Sequence, residues 1–65
     1  MMQEQPLATF PGDDYAIHIK HLRGGLGLTQ QALALRLGVS FATINRWENS
    51  QSKPSKLYWN QLRIL

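Results

Sequence analysis

A chain of 65 residues has room for one domain and a modest core, and at that size stability is marginal. Without cysteine there is neither a disulfide framework nor a thiolate metal site, which fits a reducing, cytoplasmic setting. The net charge of +3 conceals an asymmetry: Glu4, Asp13 and Asp14 fall in the first fourteen residues, whereas all seven cations lie from Lys20 onward, with Glu48 as the one acid among them. Such a segment either attracts polyanions or forms a solvated basic surface. No apolar run approaches the roughly 20 residues of a membrane span, and no secretory signal pattern is evident.

Residues 1–12, MMQEQPLATFPG, hold two of the three prolines and no periodic pattern. They read as a flexible N-terminal arm ahead of a domain at 13–65, although Leu7 and Phe10 offer the alternative of packing back on it. Asp13 or Asp14 is expected to start the first helix, a negative residue at the positive end of the helix dipole. Ile19, Leu22 and Leu26, with Tyr15, give that helix its apolar stripe. Gly24 and Gly25 each cost about 1 kcal/mol relative to alanine inside a helix, so the helix is expected to end or fray near Arg23. Gly-Gly-Leu-Gly lacks the strand before it and the Lys-Ser/Thr after it that a phosphate loop requires. His18 and His21, at i and i+3, have no further ligands nearby and read as surface residues rather than a metal site.

The next stretch, Thr29 to Asn49, reads as two short helices joined by a tight turn. Thr29 caps the first of them and Gln30 opens it; Leu33, Ala34 and Leu37 face inward, while Leu35 and Arg36 face outward. Ala34 is small enough to let two helices cross closely. Gly38 follows as the residue past the helix end, where the backbone needs positive φ. Val39 fills the corner, and Ser40 caps the second helix by offering its hydroxyl to a free amide.

Projected at about 100° per residue, this second helix splits in two. Ile44 and Trp47 form a core face edged by Thr43 and Glu48. Phe41, Ala42, Asn45, Arg46 and Asn49 occupy the opposite arc. An outward face with amides, one cation and an apolar group suits the DNA major groove, which admits a helix and offers donors, acceptors and thymine methyls. The polar turn SQSKPS follows, with Pro54 at or just before the start of another helix. Leu57, Tyr58, Trp59, Leu62 and Leu65 supply that last helix, with Trp59, Leu62 and Leu65 on one stripe.

Leu26 to Ser55, LGLTQQALALRLGVSFATINRWENSQSKPS, resembles the helix-turn-helix of the phage-repressor and Cro type, the Xre-like family. The matching features are Leu28-Thr29-Gln30, Ala34, Leu37-Gly38-Val39-Ser40, Ile44, Trp47-Glu48-Asn49 and Lys53-Pro54-Ser55. The resemblance extends to about Ile17 to Leu65 and leaves out the first dozen residues. It implies an all-α fold, a compact lambda-repressor-like domain of four helices, or five, with its helix-turn-helix at about 29–49. Four departures stand out. Gly24-Gly25 replaces better helix formers, leucine stands at 35 where a polar residue is expected, Phe41 sits where a polar reader is common, and further helical sequence is usual after Leu65.

Glu48 stands on the border between core and outward face, where it can accept from cytosine N4 or pair with a cation. The resemblance favours the pair, because matching positions carry an Arg–Glu bridge; Arg23 and Glu48 are therefore expected to form a partly buried structural pair. The implied partner is double-stranded DNA, with the helix at about 41–49 in the major groove and the preceding helix across the backbone. Phe41, Ala42, Asn45 and Arg46 are the expected base contacts. Gln30, Ser40, Asn49 and Lys53 are the expected phosphate contacts, with Lys56 and Arg36 as lesser ones and Arg46 open to either role.

These features point to a sequence-specific, repressor-like transcriptional regulator that binds as a homodimer on a palindromic site. The alternatives are the DNA-targeting module of a longer protein such as a modification enzyme, or a protein-interaction domain such as an antitoxin. Four carboxylates, no cysteine and no acid/base cluster beside the histidines argue against an enzyme. No cofactor, metal or small-molecule substrate is expected.

Overall fold

A computed structural model describes residues 14–65. The arm at 1–12, with Leu7 and Phe10, and Asp13 as a cap lie outside the described residues. Four helices follow one another: α1 (Tyr15–Gly25), α2 (Gln30–Leu37), α3 (Phe41–Glu48) and α4 (Lys56–Arg63). No strand occurs among the described residues.

Three helices start as capping chemistry dictates. Thr29 accepts from the Ala32 amide, Ser40 from Thr43 and Ser55 from Tyr58, each on extended backbone. With Ser55 as the cap, buried Pro54 lies just ahead of α4. Asp14 holds the cap position of α1 with φ −91° and ψ 6° and makes no side-chain capping bond.

The helix ends correct one expectation. Gly24 and Gly25 lie inside α1, which runs past Arg23. The turn is made at Gly27, with φ +69°, where the amides of Gly27 and Leu28 reach back to the carbonyls of Gly24 and Arg23 at 3.0 Å each. This is the Schellman closure, which needs a left-handed residue just past the helix end. Gly24 and Gly25 supply no such φ and are tolerated as exposed helical residues. Gly38, with φ +76°, closes α2 and sends the Val39 amide to Ala34 O at 3.0 Å, as expected. At the end of α3 the same role falls to Ser50, with φ +60°, and the Gln51 amide reaches Arg46 O at 2.9 Å.

Each helix contributes one wholly buried aliphatic residue: Ile19, Leu33, Ile44 and Leu62. Tyr15, Ala16, Ala34, Leu37, Trp47 and Trp59 complete the core, and Leu22, Leu28, Val39 and Tyr58 pack against it. Trp47 and Tyr58 join α3 to the C-terminal helix, with ring centroids 5.7 Å apart. Two stripe residues fall outside. Leu26 is 39 % exposed because the backbone has already left the helix there, and Leu28 packs in its place. Leu65 lies beyond the end of α4 and is 36 % exposed.

Candidate nucleic-acid interface

The division of α3 is the one its periodicity requires. Ile44 is 0 % and Trp47 3 % exposed, while Phe41, Ala42, Arg46 and Asn49 stand on the surface and Asn45 is half-buried. Phe41 is 48 % exposed, which is unusual for a phenylalanine with core on the other side of its own helix. Among the residues expected to meet phosphates, Arg36, Ser40, Asn49, Lys53 and Lys56 are exposed and Gln30 is half-buried. Leu35 points out beside Arg36, as expected. Seven cations stand against two acids, Asp14 and Glu48, among the described residues.

Glu48 does not face outward: it is 3 % exposed. Arg23 of α1 meets it with two bonds, Nε to Oε2 at 2.7 Å and Nη2 to Oε1 at 3.0 Å, the fork geometry that guanidinium and carboxylate share. The third arm, Nη1, donates to Leu28 O at 3.1 Å and ties the turn after α1 to the same pair. The pair therefore links α1, the turn and the end of α3, and base reading by Glu48 has no geometry to support it. Burial pushes the Glu48 carboxyl up, but the hydrogen bonds from Arg23 and Gln30, with the charges of Arg23 and Lys20, outweigh it and hold the group below its ordinary value. The hydrogen bond to Glu48 raises the Arg23 guanidinium, burial opposes it, and the Glu48 charge adds to the rise.

A line of amides continues from this pair. Gln30 Nε2 donates to Glu48 Oε1 at 3.0 Å, and Asn45 Nδ2 donates to Gln30 Oε1 at 3.3 Å. Asn49 Nδ2 then donates to Asn45 Oδ1 at 3.1 Å and to Asn45 O at 3.0 Å. The i, i+4 spacing of Asn45 and Asn49 was a readable signal. The reach of Gln30 from α2 to α3 was not, because nothing in a linear pattern specifies a pair fifteen positions apart. The Ser40 hydroxyl accepts from the Thr43 amide at 3.2 Å and shares a hydrogen bond with the Thr43 hydroxyl at 2.9 Å.

His21 is exposed, but His18 is half-buried and sets its ring edge-on to Trp59, 6.4 Å between centroids. Contrary to the surface reading, it lines a small apolar groove of about 50 Å³ with Leu22, Trp59, Leu62 and Arg63. Apolar neighbours and a single cation give that groove no ligand set for a metal. Among the described residues, no three of His, Cys, Asp and Glu are grouped to hold one. No helix of the described residues is long and apolar enough to cross a membrane.

Four short helices, a glycine-containing turn between the middle pair and an exposed polar face on the second of them define a small all-α DNA-binding class. A family model described as helix-turn-helix matches residues 19–61, more than half of the chain. The chain belongs to this family, the phage-repressor and Cro type of helix-turn-helix DNA-binding domain. Comparison with curated proteins and with solved structures gives no match.

Proposed function

We propose that this chain binds double-stranded DNA sequence-specifically, with α3 in the major groove, and acts as a transcriptional regulator. The supporting observation is the exposure pattern of α3: its indole and isoleucine are buried while Phe41, Ala42 and Arg46 stand out. The one acid that would repel phosphate from that helix is withdrawn into an ion pair.

In this reading Arg46 takes guanine O6 and N7, or a phosphate, and Asn45 pairs with adenine. Phe41 or Ala42 touches a thymine methyl. Phenylalanine at the head of the reading helix has no hydrogen bond to offer, so it discriminates by methyl contact and shape. Gln30, Ser40, Asn49 and Lys53, with Lys56 and Arg36, hold phosphates and so fix register without reading sequence.

Selection of bound duplexes from a random pool tests this, together with titration at two salt concentrations. An enriched motif and an affinity that falls with salt are expected, and a palindromic motif would speak for a dimer. No enrichment, with binding to random duplex indifferent to salt, would sink the proposal.

A further inference from the structure

The amide line beside Glu48 has a direction, and the buried acid sets it. We infer that Gln30 is a positioning residue for base readout, because it fixes which way the Asn45 amide faces. This rests on the DNA-binding reading above and adds to it a residue that acts through another.

The carboxylate of Glu48 can only accept hydrogen bonds. Both of its oxygens are held by Arg23, and Oε1 also takes Gln30 Nε2 at 3.0 Å. Turning the Gln30 amide over would set its oxygen against a carboxylate oxygen, so the nitrogen faces Glu48 and the oxygen faces Asn45. An oxygen there demands a donor, and Asn45 answers with Nδ2 at 3.3 Å. Its Oδ1 is thereby turned to the Asn49 amide, which donates at 3.1 Å. Three amides that could each adopt two orientations are ordered in series by one charge.

The consequence is for recognition. Asn45 keeps one Nδ2 hydrogen and one Oδ1 lone pair beyond those bonds, a donor and an acceptor in fixed order. Adenine N7 and N6 present the matching acceptor and donor. An amide free to turn over presents both orders and discriminates less. Gln30, one helix away, thus decides how sharply Asn45 reads.

The test uses Gln30→Met, which keeps length and helix propensity and removes the amide, compared with wild type and Asn45→Ala in duplex selection. The informative base position is the one whose preference Asn45→Ala abolishes. At that position Gln30→Met is expected to reduce the preference by about fivefold or more, the worth of a weak bidentate contact. Preferences at the other positions are expected to persist, which also shows the variant folded. In the free protein, the Asn45 side-chain amide protons are expected to exchange faster with water in Gln30→Met. Unchanged preference at that position, or unchanged exchange, overturns the inference while DNA binding stands. Weaker binding to every duplex, with every base preference unchanged, makes Gln30 a phosphate ligand only and also overturns it. Wild-type protein that selects no sequence defeats the underlying reading instead.

Discussion

Removing Arg23 tests how the reading helix is held. Arg23→Met keeps much of the aliphatic stem and deletes both bonds to Glu48, at 2.7 and 3.0 Å, as well as the bond to Leu28 O. Glu48 would remain buried as an anion with one hydrogen bond, from Gln30. Stranding one partner of a buried pair costs about 3–5 kcal/mol. The Arg23 side chain is 24 % exposed against 2 % for Glu48, and Gln30 still solvates the acid, so the lower end, about 3 kcal/mol, applies. A domain of this size has a total stability on the order of 3–10 kcal/mol, so the loss should be plain in urea denaturation followed by circular dichroism. Arg23→Met combined with Glu48→Met removes the stranded charge and is expected to recover most of it.

The pH dependence gives a second, independent sign. In wild type the Glu48 carboxyl is held below its ordinary value. Its contribution to stability is therefore fully present above the unfolded carboxylate pKa, about 4.3, and is lost as pH falls through the lower folded value. In Arg23→Met the burial is no longer outweighed by the guanidinium, and the folded pKa moves up. That variant should gain stability relative to wild type as pH falls from 7 toward 5, because protonation removes the stranded charge. Two results would refute the reasoning: a single-variant cost under about 1 kcal/mol, or losses in the double variant that simply add.

The glycines make a paired prediction by thermal melting. Gly24→Ala and Gly25→Ala, which meet nothing within 4 Å in a helical backbone, should each stabilise by roughly 0.5–1 kcal/mol. Gly38→Ala meets nothing within 4 Å either, yet at φ +76° it should cost about 1 kcal/mol; a lowered melting point for Gly24→Ala would deny that α1 reaches that far. Lys53→Ala should weaken binding to all duplexes alike and lower the salt slope by about one, and an unchanged slope removes Lys53 from the phosphate contacts. Arg46→Ala, if it reads a base, should cost about 1–3 kcal/mol at one position in duplex selection; a uniform loss assigns it to the backbone.

What the sequence made legible was what repeats or caps. The alternation of Ile44 and Trp47 with Phe41, Asn45 and Arg46 follows from helical period alone, and Thr29, Gly38 and Ser40 mark their boundaries by local backbone chemistry. Gly24 and Gly25 misled because glycine carries two meanings, weak helix former and left-handed turn. Of the three glycines at the end of α1 only Gly27 has the second, and a propensity argument cannot tell them apart. Ser50 adopts the same left-handed turn with no glycine to announce it. Arg23 and Glu48 were paired through family resemblance, since twenty-five positions separate them and no period connects them. The Gln30 bridge had neither kind of support. It arises where α2 begins beside the end of α3, and only the packed structure brings those two places together. Packing is thus what makes the outward face of α3 depend on a charge inside the domain, so a substitution that leaves every surface residue in place can still change what that face displays.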